Sequence, residues 1–212
     1  PVTTAVLGVA LATTFCATAA AVRSVVETKT PLYVVLRMDD TQYGWLSDTQ
    51  ASVIDWSLDK SVKFNFGIIS GPAGGGSDQV WPTTCSKSHA DPACKDPAVS
   101  SIYKAYAQGR VVGQQPNDAT NTTGSTVIEV FNHGWDHNAW PTMSDAEQAA
   151  DMAKSTRALA AAFPQARVKT FVPPENIATR GTVEAMQHAG LTIMSSMGTM
   201  SCPDGVEAPV PP

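Results

Sequence analysis

Repeated strand–helix units predict an α/β domain with a parallel sheet or barrel and right-handed crossovers. Three observations support this. Short apolar runs alternate with stretches of helical period. Two helical stretches open on capping-box pairs, Ser47 with Gln50 and Ser144 with Glu147. Three of the five apolar runs end in polar or proline-rich segments, as expected where an α/β sheet gathers its chemistry at the carboxyl ends of its strands.

Taken in order, Leu32–Met38 (LYVVLRM) is a nearly continuous apolar run ending in two acids, the pattern of a strand covered on both faces. The helix opened by Ser47 and Gln50 places Val53, Ile54 and Leu58 on one face. Val62–Ile69 reads as the second strand. A Gly/Pro-rich loop insertion, 70–97, follows it, and Pro97–Gln108 reads as a short helix with proline in its first turn. A second, polar insertion spans 109–126. Thr126–Asn132 is the third strand and leads into His133. Ser144 and Glu147 open a helix to about Phe163, and Arg167–Val172 is a fourth strand stopped by Pro173-Pro174. Thr179–Ala189 is a helix closed by Gly190, and Leu191–Ser195 is the fifth strand.

Composition narrows the function. With 43% hydrophobic and 16% charged residues the 212-residue chain is too apolar for disorder and long enough to bury a core. Its net charge of −5, without any run of Lys or Arg, argues against nucleic-acid or anionic-lipid partners. The first 22 residues carry no charge. Ala5–Phe15 has the length of a signal-peptide apolar core, and Ala17-Thr18-Ala19 offers a small-x-small cleavage pattern, so 1–21 is expected to direct secretion. A membrane span or a buried first element are the other readings of this segment. Export suits a disulfide between Cys85 and Cys94, which flank a polar loop with little to pack; a metal site with His89 is the alternative. Cys202 is then left over unless Cys16 is retained or a partner lies beyond Pro212, Asn121-Thr122-Thr123 is a glycosylation sequon, and 201–212 reads as a linker or cut end.

The chemistry gathers at the strand ends. Asp39-Asp40 follows the first run, and His133 and His137 follow the third in NHGWDHNAW. Two His four apart on one helical turn would stand about 5–6 Å apart at Cβ. That suits one metal ion, with a carboxylate from another strand end completing a two-His, one-carboxylate set. The second acid could then serve as general base on a water. A neighbouring cation also relieves the repulsion between adjacent acids. Taken singly, an Asp pair also suits a turn or helix cap, and the His pair a solvated helix face. Trp45, Trp81, Trp135 and Trp140 sit in or beside loops, where they suit sugar stacking or core packing; Trp135, inside the histidine pentad, has the best claim to line the site.

These residues resemble a family. Met38–Asp40 (MDD), Asn132–His137 (NHxxxH) and Phe171–Pro174 (FxPP) are similar to the first three motifs of the polysaccharide deacetylase (NodB-like) family. The resemblance covers about Leu32–Ser196 and implies a distorted (β/α) barrel of the NodB-like type, of about seven strands, with residues 31–200 as its catalytic domain. It implies Asp39 as catalytic base, and Asp40, His133 and His137 as ligands of Zn2+ or of another divalent metal such as Co2+ or Mn2+. A backbone N–H near Glu175, just past Pro174, would stabilise the oxyanion.

There are departures. Thr41 stands where the family usually has Gly, and Glu175 where it has Tyr. Val172 stands where an Arg usually braces the base, leaving Arg37 or Arg180 to substitute. The later motifs, with a general-acid His, find no match; His188 reads as a surface or packing residue. The expectation is therefore a secreted, monomeric, metal-dependent hydrolase. It would remove acetyl groups from a polysaccharide or oligosaccharide such as chitin or peptidoglycan, on a barrel truncated at its C-terminal side. The alternatives are another carbon–nitrogen or ester hydrolase on the same fold, or an inactive metal-retaining module that binds glycans.

Overall fold

The computed structural model describes residues 34–72, 78–88, 90–112, 126–138 and 140–196, together with the backbone of two further short strands. The leader-like segment 1–21, His89, the sequon at Asn121, Cys16 and Cys202 lie outside the described residues. Val35–Pro212 form one compact unit.

Five strands lie side by side in chain order: β1 (Arg37–Thr41), β2 (Phe64–Ile68), β3 (Ile128–Asn132), β4 (Thr170–Phe171) and β5 (Ile193–Met194). Every neighbouring pair is parallel. Parallel neighbours cannot be joined by tight hairpins, so helices supply the crossovers: α1 (Ser47–Lys60), α2 (Pro97–Ala107), α3 (Asp145–Ala162) and α4 (Arg180–His188). A separate antiparallel pair, β6 (Thr199–Met200) and β7 (Ala208–Pro209), follows. The α/β class expected from the sequence is the class observed. Among the described residues no helix is long and apolar enough to cross a membrane.

The strands are shorter than the apolar runs that announced them. The first was expected over Leu32–Met38, but β1 begins at Arg37, and Val35 and Leu36 are exposed. β1 is an edge strand, and its ladder begins only where β2 offers a partner, at Arg37 opposite Asn65. The two acids consequently lie within β1 rather than after it. Its register breaks between Met38 and Thr41, and Asp40 adopts a left-handed φ of 59°. Consecutive residues of a regular strand point to opposite faces. A bulge with a left-handed residue re-aims one of them, and Asp tolerates that conformation better than most residues.

Helix caps were legible in one case and misread in another. Ser144 and Glu147 form the expected capping box, Thr179 forms one with Thr182, and Gly190 follows α4 at φ 72°. Ser47 and Gln50 do not. The N-cap of α1 is Leu46 in a left-handed conformation with no side-chain bond. Ser47 Oγ instead donates to Asp96 Oδ2. Gln50 is buried; its Oε1 accepts the Gln42 N–H at 3.2 Å and its Nε2 donates to the Asp40 carbonyl at 3.1 Å. Gln50 thus secures the bulge that carries the acids, while Ser47 ties the start of α1 to Asp96.

Two apolar clusters fill the space between sheet and helices. The larger joins Ile54, Phe66, Ile68, Tyr103, Ile128 and Phe163; the smaller joins Trp140, Met152, Phe171, Met186 and Leu191. Gly67 on β2 is obligatory, since a Cβ there would stand 2.3 Å from the Phe131 ring. Cys85 and Cys94 form the expected disulfide. Their loop, however, is not a segment with little to pack. Cys85, Cys94 and Trp81 all enter the larger cluster, where Trp81 lies 6.5 Å from Tyr103 and 6.4 Å from Phe163 between ring centroids.

Candidate metal centre

The candidate site gathers along β1 and just beyond the carboxyl ends of β3, β4 and β5. β3 ends at Asn132, whose buried side chain sets the course of the chain beyond. Its Nδ2 donates to Ser155 Oγ at 2.9 Å and Thr156 Oγ1 at 3.0 Å, both on α3, and its Oδ1 accepts the Gly134 N–H at 2.9 Å. Gly134 takes φ 89°, a conformation glycine adopts without a Cβ penalty. Beyond it, the Trp135 N–H donates to Asp151 Oδ1 at 2.9 Å, and the Ser70 and Gly71 N–H groups donate to the Gly134 and Trp135 carbonyls. The segment from His133 to His137 is thus a loop held against α3 and the end of β2. It is not the helical turn that the spacing suggested, and His137 itself has φ 57°.

The loop brings the two imidazoles to one carboxylate oxygen. Asp40 Oδ1 lies 3.1 Å from His133 Nε2 and 2.9 Å from His137 Nε2, and the two rings are 5.0 Å apart between centroids. One ligand atom from each of Asp40, His133 and His137 lies within 4.8 Å of the others. Ligand atoms sharing one tetrahedral ion at about 2.0–2.2 Å stand roughly 3.3–3.6 Å apart. The two carboxylate–imidazole separations, 3.1 and 2.9 Å, fall within about half an ångström of that spacing. His133 Nδ1 donates to the Val172 carbonyl at 2.7 Å, which fixes the tautomer and leaves Nε2 free to bind. His133 is buried, whereas Asp40 and His137 are partly open to solvent, so a face of the triad remains accessible.

Electrostatics follow from the contacts. The bonds from His133 and then His137 hold the Asp40 carboxyl well below the usual carboxylate range. The bond to Asp40 raises His137, and the Glu175 carboxylate adds a smaller push in the same direction. Behind the loop, burial pushes Asp151 up to about 6, partly offset by the Trp135 N–H that it accepts.

Asp39 faces a different partner. Its Oδ2 pairs with Arg37 Nη2 at 2.9 Å, while its Oδ1 is buried and has no hydrogen-bond partner. Arg37 also donates to Asn176 Oδ1 at 2.9 Å and to Ser195 Oγ at 2.7 Å. Of the two arginines that the sequence left open, Arg37 is the one at Asp39; Arg180 pairs with Glu184 on the exposed side of α4. Pro174–Asn176 forms a 3-10 turn in which Glu175 and Asn176 both take left-handed φ, 58° and 59°. Pro174 is buried and Glu175 exposed.

The tryptophans divide. Trp81 and Trp140 are fully buried in the two clusters and offer no face to a ligand, so of the two readings open for them core packing holds. Trp135 is half-buried; it packs on Gly71, and the Lys154 ammonium stands 3.9 Å from its ring centroid. His188 lies at the exposed end of α4. Sequence reasoning missed Gln50, Asp151, Ser155, Asn176 and Ser195. A signal for Asp151 and Ser155 was available. Gln148, Asp151, Met152, Ser155 and Leu159 recur at helical spacing along the buried face of α3, so polar residues occupy an inward stripe where an ordinary core helix is apolar.

A family model described as polysaccharide deacetylase matches residues 103–194, the part that holds His133, His137 and the double proline but not Asp39 and Asp40. No curated protein matches. Among solved structures, the Streptococcus pyogenes deacetylase PplD in complex with acetate aligns at 12% identity and a TM-score of 0.49, over 80% of this chain and 58% of that one. A family 4 carbohydrate esterase from Streptomyces lividans, also with acetate, aligns at 14% identity and 0.46, over 76% and 60%. A family 4 pseudoenzyme from Bacillus anthracis, BA3943, aligns at 14% and 0.43, over 75% and 42%. This chain thus spans about half the length of such structures. Residues 103–194, which carry NHxxxH and FxPP, are thus similar to the polysaccharide deacetylase family, as those two motifs led us to expect.

Proposed function

We propose that this chain is a divalent-metal-dependent hydrolase that removes acetyl groups from an acetylated sugar polymer or oligomer outside the cell. The observation that carries the reading is the convergence of Asp40, His133 and His137 at one point, on the strand whose next acid, Asp39, keeps a buried oxygen unpaired. The match of residues 103–194 to the deacetylase family supports the substrate class. The Cys85–Cys94 disulfide supports an oxidising compartment.

Asp40, His133 and His137 would hold the ion. When bound, a divalent cation polarises a carbonyl oxygen and makes a water easier to deprotonate. The chain's own residues do the rest. Asp39 Oδ1 accepts the proton of the attacking water while Arg37 holds Oδ2. The water oxygen bonds to the acetyl carbon, and the backbone N–H of Glu175 donates to the carbonyl oxygen as it gains charge. The bond from carbon to the sugar nitrogen or oxygen then breaks; the leaving atom takes up the proton that Asp39 had accepted, and acetate departs. His133, fixed through Val172, keeps its Nε2 directed at Asp40 throughout.

Acetate release from acetylated chito-oligosaccharides, peptidoglycan fragments and acetylated xylan, with and without chelator, tests this. Release that stops on chelation and returns with Zn2+ is expected. Asp39→Asn should lower kcat by about 10²–10⁴-fold while the protein retains its metal, and His133→Ala should lose the metal. Metal-dependent release from simple amides but from no glycan would assign another carbon–nitrogen hydrolase. Metal binding with no release from any substrate would leave a glycan-binding module.

A further inference from the structure

One side chain joins the two edges of the sheet. β1 and β5 are the outer strands of the order and share no ladder. Arg37, on β1, nevertheless donates from Nη1 to the hydroxyl of Ser195, the residue that follows β5. Its Nη2 serves both Asp39 Oδ2 and Asn176 Oδ1. From the other side, Ser196 Oγ donates to the Asn176 carbonyl, and the Ser195 N–H donates to the Phe171 carbonyl at 3.0 Å. Strands about 4.8 Å apart would put the edges of a flat five-stranded sheet roughly 19 Å from each other, beyond the reach of one arginine, so the sheet is curled.

The same contacts hold a turn that needs holding. Two successive non-glycine residues in the left-handed region, Glu175 and Asn176, cost about 1–2 kcal/mol each and persist only where neighbours over-determine them. Arg37 binds the Asn176 side chain and Ser196 binds its carbonyl. A guanidinium presents several donors in one rigid plane, which suits three acceptors from three elements; an ammonium presents no such fork.

We propose that Arg37 is the closing pin of the curled sheet and the positioning residue of the site. Through the Ser195 seam and the Asn176 turn, it sets Asp39 against the Glu175 backbone. The effect on turnover rests on the hydrolase reading above; the seam itself does not.

Two measurements on the full chain test the proposal. In thermal unfolding, Ser195→Ala is expected to lower Tm by about 2–4 °C in the wild-type background and by almost nothing in an Arg37→Met background, because the hydroxyl's partner is already gone. Should Arg37→Met not fold, Arg37→Lys carries the same cycle. In zinc-loaded protein, Arg37→Met is expected to lower kcat about 10²-fold, with KM within about threefold and metal retained in full. Equal Tm losses from Ser195→Ala in both backgrounds overturn the pin, as does a defect confined to KM or to metal retention. If the wild-type protein releases no acetate, the hydrolase reading fails, and the thermal cycle alone decides the seam.

Discussion

His137 and Asp40 set each other's charge. With no cation between them, the imidazole and the carboxylate stand 2.9 Å apart, which raises the pKa of His137 and lowers that of Asp40. The two linkages have opposite signs. The His137 contribution to stability is fully present below its unfolded pKa of 6.5 and is lost as pH rises through its raised folded value. The Asp40 contribution is present above 3.8 and is lost as pH falls towards its lowered value. Metal must displace the His137 proton, because only a neutral imidazole ligates. Apparent affinity should therefore fall by about tenfold per pH unit below the raised His137 pKa, one proton being displaced per ion. Co2+ titrations followed by absorbance at pH 5.5 and 7.5 would read this, and His137→Ala should flatten the dependence. Equal affinities at the two pH values in the wild-type protein would remove His137 from the ligand set.

α3 is the element that makes the histidine loop possible, and it does so with polar groups on its inner face. Asp151 receives the Trp135 N–H, while Ser155 and Thr156 receive the amide of Asn132. Asp151 carries a cost, because burial pushes its pKa from 3.8 up to about 6. The folded state then binds the proton more tightly than the unfolded one, so stability falls as pH rises from about 4 through 6. The loss amounts to roughly 2–3 kcal/mol above pH 7, from about two pKa units at 1.36 kcal/mol each. Asp151→Asn keeps an oxygen for Trp135 and removes the charge. Its Tm should exceed that of the wild type by several degrees at pH 8, and the gap should close as pH falls to about 3.8. A lower Tm at pH 8 would mean that the ionised carboxylate is stabilising. These roles were half legible from the sequence. The stripe from Gln148 to Leu159 has helical period and reads as a helix, but which backbone groups its polar members would receive depends on where β3 delivers Gly134 and Trp135.

The fold class was legible across the whole molecule because alternation of apolar runs and capped helices is a local property. The candidate ligands were legible because Asp and His pairs at strand ends are local too. The rest depends on long-range shape: the left-handed bulge at Asp40, Gln50 turned back to hold it, and Arg37 reaching Ser195 across the sheet. The disulfide loop is the same kind of case, since its cysteines were readable but its packing was not. Cys85 and Cys94 are nine residues apart and close a short loop. Restricting the unfolded chain to such a loop is worth about 2–3 kcal/mol in the chain-entropy account. Trp81 enters the core just before this loop, and the loop leads directly to Asp96, whose carboxylate caps α2 through Val99 and accepts from Gly44 and Ser47 at the start of α1. Its consequences should therefore extend to the turn just after the paired acids. Reduction, or replacement of both cysteines by serine, is expected to lower Tm by about 4–10 °C. Amide exchange at Gly44 and Val99 should accelerate, while the strand amides of β2 and β3 stay protected. Unchanged Tm and unchanged exchange at Gly44 would show that Trp81 packing alone holds the loop.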